Sequence, residues 1–187
     1  WLGLFLKGAL HYIPHLNRTV DYNLLSEEVS SGFCIIEDKN DHVWYGGPSG
    51  LFLIDKKKAN ARPEKISPLR IFNLVQFNDS ILWAGTRKGS MFQINTRTLK
   101  VTSLPILPHT DLYVTYIYPD SHQRIWIGTD NNGLYVSDRN GSIIASYSKE
   151  QLGSNAIKGI IEDEMNNIWV GTCLLYTSPS PRDMRRS

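Results

Sequence analysis

An all-β fold built from repeated four-stranded antiparallel sheets is what this sequence predicts, and three observations carry that expectation. The first is periodicity. The five tryptophans of the 187-residue chain, Trp1, Trp44, Trp83, Trp126 and Trp169, follow one another at spacings of 43, 39, 43 and 43 residues. Self-similarity at a fixed period of this length marks a repeat architecture in which each period is one supersecondary unit. The second is the pattern around each tryptophan. VWYGGPSGLFLID (43–55), LWAGTRKGSMFQIN (82–95), IWIGTDNNGLYVSD (125–138) and IWVGT (168–172) share a glycine two residues after the Trp, and the longer ones share a second glycine. The chain opens on the same pattern with Trp1, Gly3 and Gly8. The third is that apolar residues come in short runs rich in Ile, Val, Tyr and Trp, separated by turn residues, which reads as strands rather than helices.

The elements follow in order. Residues 1–29 read as a partial unit, 30–70, 71–110 and 111–153 as complete ones, and 154–172 as a second partial one. In the third complete unit, LYVTYIY (112–118), RIWIGT (124–129), GLYVSD (133–138) and SIIASYS (142–148) are the four strands. The links DSHQ, DNN and RNG suit hairpins, with Asn140-Gly141 predicted as a two-residue turn. The corresponding first strands are GFCIIED (32–38), IFNLVQF (71–77) and AIKGIIED (156–163). Their near-continuous hydrophobicity predicts burial on both faces. An Asp stands six residues before the Trp in three units, as Asp38, Asp120 and Asp163. Asp41, Gln123 and Asn166, three residues further on, occupy the turn position where a left-handed backbone is expected. The second unit lacks this Asp. It is expected to tighten its turn around Asn78-Asp79, which would help explain the shorter period.

Units of this length with four strands each are propeller blades. The predicted architecture is therefore a β-propeller fragment of about three complete and two partial blades. A β-helix or sandwich, the competing architecture, would not need four strands per Trp. The recurring pairs Trp44 and Gly46, Trp83 and Gly85, Trp126 and Gly128, Trp169 and Gly171, together with Trp1, read as structural. A buried Trp removes up to about 250 Å² from water, on the order of 5 kcal/mol, and a glycine two residues on shares its face and lets the next sheet approach.

Composition bounds the rest. Hydrophobic residues make up 41% and charged residues 20%, the balance of a soluble globular protein. No apolar run reaches the roughly 20 residues of a membrane helix. WLGLFLKGAL at the start has no basic leader or cleavage site, so no signal peptide is expected, and a Trp in mid-repeat implies that the chain begins inside a longer protein. The final stretch CLLYTSPSPRDMRRS (173–187) breaks the pattern and resembles a translated sequencing adapter, so it is expected to be a non-native or disordered tail. Without it, 17 basic and 17 acidic residues balance, and the sequence pI of about 8.5 gives no reason to expect nucleic acid as a partner. Only Cys34 then remains, so no internal disulfide is expected.

IIEDKNDHVWYGGPSGLFLID (35–55), YPDSHQRIWIGTDNNGLYVSD (118–138) and IIEDEMNNIWVGT (160–172) together resemble the two-component-regulator propeller repeat, and the resemblance extends over essentially all of residues 1–172. Departures from the pattern are Gly47 where Thr is usual, Ala84 and Ser90-Met91 in the second unit, and Ala9-Leu10 at the start. The resemblance implies the periplasmic, extracytoplasmic sensor region of a bacterial membrane regulator, often a hybrid histidine kinase that detects oligosaccharides and signals through a phosphorelay. Kinase domain and membrane segment would lie outside this chain. Implied partners are an oligosaccharide or other small ligand and the remainder of the sensor, with a homodimer as one arrangement.

Catalytic motifs are not evident in the sequence. There is no Gly-x-Ser-x-Gly elbow and no Walker-type glycine loop. His11 and His15 stand four apart, but Pro14 between them argues against a helical metal site, so neither metal nor cofactor is expected. The carboxylate pairs Glu37-Asp38 and Glu162-Asp163 recur with the period, which suits turn stabilisation better than catalysis, and Lys56-Lys57-Lys58 reads as a solvated hairpin. Variation concentrates instead in the loops between second and third strands and at the mouths of first strands, at Pro48-Ser49, Arg87, Lys88, Asp130, Asn131, Asn132, Leu112 and Tyr113. Variable loops on a repeated frame suit ligand binding. From these, Arg87, Lys88, Tyr113, Asp130, Asn131 and Asn132 are the candidate ligand-binding set, with Tyr113 placed to stack on a sugar ring and the amides and Arg87 to bond hydroxyls or an acidic group. The alternatives are a propeller enzyme of lyase or glycosidase type and a scaffolding propeller. Trp-Phe-Thr-Glu and Ser-x-Asp-x-Gly-x-Thr-Trp, which such enzymes favour, do not occur.

Overall fold

The computed structural model of the chain describes residues 2–4, 8–23, 32–58, 61–87, 89–104, 107 and 112–173. The regular structure among these is almost entirely antiparallel sheet, built from strands that are neighbours in sequence order. A three-stranded sheet holds β1 (Leu2–Leu4), β2 (Gly8–Ile13) and β3 (Arg18–Asn23), with a 3₁₀ turn at Pro14–Leu16. The first complete blade is β4 (Cys34–Glu37), β5 (His42–Gly47), β6 (Gly50–Asp55) and β7 (Glu64–Ser67). The second is β8 (Ile71–Asn78), β9 (Ile81–Thr86), β10 (Met91–Asn95) and β11 (Val101–Ser103). The third is β12 (Val114–Pro119), β13 (Ile125–Thr129), β14 (Leu134–Ser137) and β15 (Ile143–Tyr147), followed by the single-turn α1 (Lys149–Leu152). The pair β16 (Ile157–Glu162) and β17 (Ile168–Thr172) completes the described sheets. These are β-propeller blades, and no helix among the described residues is long and apolar enough to cross a membrane. Trp1, Lys88 and the tail beyond Cys173 lie outside the described residues.

Two compact units divide the chain, 1–86 with 93–102 and 87–92 with 103–187. In the first unit, Trp44 of β5 lies opposite Ile36 of β4. It packs with Leu51 and Leu53 of its own sheet and with Ile71, Leu74, Leu82 and Ala84 of the next. Gly46 lies on the same face. A Cβ there would stand 2.7 Å from both Cys34 Sγ and Ile71 Cγ2, so a side chain would force the two blades apart. The second unit repeats the arrangement with Trp126 against Ile157, Ile160, Ile168 and Val170. A Cβ on Gly128 would stand 2.7 Å from Ile157 Cγ2. Within each unit the first strands of successive blades run close together, β4 beside β8 and β12 beside β16.

Three expectations are corrected. First strands are not buried on both faces: β4, β8, β12 and β16 are half-exposed along much of their length, while β5, β9 and β13 are buried almost throughout. A first strand is an edge strand with one neighbour in its sheet, whereas the second has two. The short 39-residue period does not arise in the β8–β9 turn. Trp83 pairs with Val75 just as Trp44 pairs with Ile36, so the two turns are equally long, and the tight turn itself is Asp79-Ser80, because Asn78 pairs with Ile81. The shortening lies ahead of β8, where Ser67 leads almost directly to Ile71, while α1 fills the equivalent link between β15 and β16. Finally, Asn140-Gly141 is not a two-residue turn. Only Gly141 is left-handed (φ 89°), and Asp138 Oδ1 accepts from the N–H of both Asn140 (2.8 Å) and Ser142 (2.9 Å), which pins a longer connection.

Candidate functional site

Each blade has two working ends. At one end, a turn joins the first strand to the second. Asp120 Oδ1 accepts from the backbone N–H of His122 (2.9 Å) and Arg124 (2.8 Å), while Oδ2 accepts from Arg124 Nε (2.6 Å) and Trp126 Nε1 (2.8 Å). Asp38 does the same for Asn40, His42 and Trp44, and Asp163 for Met165, Asn167 and Trp169. The third residue of each turn is left-handed: Asp41 (φ 65°), Gln123 (φ 62°) and Asn166 (φ 62°). Burial pushes the carboxyls of Asp38 and Asp120 up, but the hydrogen bonds from the indole and the backbone outweigh it and hold both below the ordinary range. Asp163, more open to water, is held at about 2 by Asn167 and Trp169. These carboxylates are spent on the turn, and their partners leave no lone pair for chemistry.

Glu37 and Glu162 do different work from the Asp beside them. Glu37 pairs with Lys56, while Glu162 crosses from β16 to the β12–β13 turn and accepts from Ser121 N (2.8 Å) and Ser121 Oγ (2.7 Å).

The candidate ligand residues sit at the other end, in the second unit. Arg87 forms an isolated antiparallel bridge with Tyr113, and its guanidinium lies 5.2 Å from the Tyr113 ring centroid. Next to this bridge, Gly89 N donates to Leu112 O (3.1 Å). On the other side, Tyr113 N donates to Asp130 Oδ1 (2.8 Å) and Asp130 N donates to Tyr113 O (3.1 Å). Asp130 is therefore half committed to fixing the backbone that presents Tyr113.

The β13–β14 loop that follows is held by its own hydrogen bonds. Thr129 Oγ1 donates to Gly133 O (2.8 Å) and accepts from Asn132 N (2.9 Å), closing the loop on itself. Gly133 is left-handed (φ 77°), and a Cβ there would lie 2.1 Å from Tyr147 O, so only glycine fits. The loop leaves Asn131 exposed and Asn132 half-buried, with Asn132 Nδ2 3.5 Å from the buried Tyr135 hydroxyl. Burial raises the Tyr135 phenol above its ordinary range against the pull of Asn132, so it stays protonated.

The structure thus brings together Arg87, Tyr113 and Asp130, with Asn131 and Asn132 in the loop that follows Asp130; Lys88 lies outside the described residues. Pro48-Ser49 forms the β5–β6 turn of the first unit. One neighbour was not singled out from sequence: Asn155, whose carbonyl accepts from Gly133 N (2.8 Å) and whose Oδ1 is buried with no hydrogen-bond partner. It stands two residues before β16, as Leu112 stands two before β12, and that repeat position is the clue that could have found it. What the rim offers is an aromatic ring, a guanidinium and amides, which suits binding. Among the described residues, no group of three or more His, Cys, Asp and Glu converges as a metal site.

Comparison with known proteins adds the family context. Residues 109–131 and 151–173 match the two-component regulator propeller model, so the chain carries repeats of that kind. A histidine kinase of Formosa agariphila, named Histidine kinase P4, is 29% identical over 136 aligned residues, covering 65% of this chain and 10% of that protein. The extracellular domain of the putative one component system BT4673 from B. thetaiotaomicron superposes with a TM-score of 0.78 at 22% identity, over 92% of this chain and 25% of that one. A second structure of that domain, described as part of a putative hybrid two component system, gives 0.73 at 23% identity over 89% and 24%. PorZ, a surface component of the type-IX secretion system of Porphyromonas gingivalis, gives 0.71 at 17% identity over 90% and 28%. At these identities the structural likeness is one of fold. The chain spans about a tenth of the kinase and about a quarter of the extracellular domains.

Proposed function

We propose that this chain is a ligand-binding stretch of the extracytoplasmic sensor of a bacterial two-component regulator, responding to an oligosaccharide without turning it over. One observation carries the reading: the matched segment 109–131 contains Tyr113, Asp130 and Asn131, so three of the candidate rim residues belong to the regulator-type repeat itself. The name of the kinase relative and the descriptions of the BT4673 domains support the same setting. In that setting the propeller lies on the periplasmic side, the remainder of the sensor chain is its partner, and a phosphorelay beyond it carries the output. The rim chemistry fits a sugar. An aromatic ring takes the apolar face of a pyranose, and a few fixed amide and guanidinium groups orient its hydroxyls.

Calorimetric titration of the chain with a panel of neutral and acidic oligosaccharides, with chromatography of the same samples, tests this. Saturable binding with no new species is expected, weakened about tenfold by Tyr113→Ala or Arg87→Ala. Consumption of the sugar would move the protein to the enzyme class. Binding untouched by both substitutions would remove the rim as the site.

A further inference from the structure

We infer that the first unit carries a second platform, formed by Phe33, Phe72 and Arg70, that takes a sugar ring bearing a carboxylate; this rests on the carbohydrate reading above but not on the Tyr113 rim. The platform begins with a backbone irregularity. The β8–β9 register shifts between Ile71 and Asn73, which leaves Phe72 outside the ladder. The same shift occurs between Val114 and Tyr116 and between Ile157 and Gly159, at Thr115 and Lys158. Phe33 occupies the equivalent place, just before Cys34, which pairs with the repeat glycine Gly46. A bulge breaks the alternation of a strand and re-aims the residue it frees, a device common beside functional sites.

What fills the bulge differs between the units. In the second, Thr115 Oγ1 turns onto the backbone, reaching Ile157 O (3.0 Å) and Gly128 O (3.2 Å). In the first, the position is aromatic twice over. The rings of Phe33 and Phe72 stack with centroids 5.4 Å apart and planes 10° apart. The Arg70 guanidinium lies over both, 5.7 Å from one centroid and 5.5 Å from the other. Phe33 remains 43% exposed, so its ring is open to a ligand. Arg70 is exposed as well, and among the described residues no carboxylate pairs with it.

These features select a ligand class. A guanidinium held against aromatic faces is already oriented, so little freedom is lost when its planar fork meets a carboxylate bidentately. The exposed Phe33 ring beside it suits the C–H side of a pyranose. A neutral sugar would satisfy the rings but leave the fork with no charge to meet.

The test compares tetragalacturonate with its methyl ester, which keeps the rings and removes the charge, in calorimetric titrations of the full chain. The wild type is expected to prefer the acid about tenfold, Arg70→Met to abolish that preference, and Arg70→Lys to retain part of it. Phe33→Leu with Phe72→Leu should weaken acid and ester alike, with near-ultraviolet circular dichroism confirming that the variants fold. Tyr113→Ala should leave the preference intact while lowering overall binding, which separates this platform from the rim. No preference in the wild type overturns the inference. So does a preference that survives Arg70→Met and vanishes with Arg87→Met, because the carboxylate would then sit at the rim. Arg70-dependent binding of 4-hydroxybenzoate without binding of the sugar acid would overturn the sugar class.

Discussion

The first two complete blades use the same tryptophan in the same place and satisfy it differently. Trp44 and Trp83 are both fully buried, each at the third position of its second strand and each opposite a first-strand residue, Ile36 or Val75. Trp44 donates its indole N–H to Asp38 at 2.8 Å, whereas Trp83 Nε1 is buried with no partner. Phe77 stands where the Asp would be, its ring 6.2 Å from that of Trp83. The β8–β9 turn has no left-handed residue either; Asn78 Oδ1 caps Ser80 N (2.9 Å) instead. The blade survives this exchange, so apolar packing of the tryptophan holds the repeat. The carboxylate adds polar satisfaction and a fixed turn, and its omission costs about 1–3 kcal/mol for the orphaned donor.

This contrast ranks the expected effects. Asp120→Ala should be the most damaging, by about 3 kcal/mol in denaturant unfolding, since it strips partners from a buried indole, two backbone N–H groups and Arg124. Asp163→Ala removes the same bonds from a turn whose Trp169 is 47% exposed, and its loss should be clearly smaller, because water replaces the carboxylate. Equal losses would mean that the turn, not the buried indole, sets the cost.

Acid should act next. The carboxyls of Asp38, Asp120 and Asp163 are depressed in the folded chain, so below the ordinary Asp value near 3.9 the unfolded chain binds more protons. Their stabilisation is full above about pH 4 and is lost as pH falls through the folded values, for Asp163 about 2. Equilibrium unfolding between pH 5 and 2 checks this at about half-unit steps. An Asp120→Asn variant should show a shallower acid limb.

Smaller still is the reverse experiment in the second blade. Phe77→Asp with Ser80→Asn supplies both the missing acceptor and a residue tolerant of left-handed backbone. It should raise stability by about 1 kcal/mol, since restored hydrogen bonding offsets the lost ring packing.

Much of this was legible in the sequence. The tryptophan period located the blades, and an Asp six residues ahead of Trp44, Trp126 and Trp169 marked the three capped turns. What sequence could not convey was burial along a strand. The hydrophobic first strands look like core yet lie at sheet edges. The cause of the shorter period was also hidden, because register, not spacing, shows that the β7–β8 link carries it. At the rim, Tyr113 and Asp130 were readable as loop residues, but their mutual backbone bonds and the orphaned Asn155 Oδ1 depend on how two strand mouths meet. The Phe33–Phe72 stack was available as a repeat position and was masked by its resemblance to ordinary core.

The most direct measurement is the indole N–H resonance of each tryptophan in 15N-labelled chain, followed by NMR from neutral pH into the acid range. The carboxylate-capped indoles of Trp44 and Trp126 should lie downfield, exchange slowly and shift as their aspartates protonate, and the Trp126 signal should move selectively in Asp120→Asn. Trp83 should exchange slowly, because it is buried, yet show no titration of its own. A Trp83 indole that titrates with the others, or a Trp126 signal indifferent to Asp120→Asn, would contradict the division between packed and capped tryptophans.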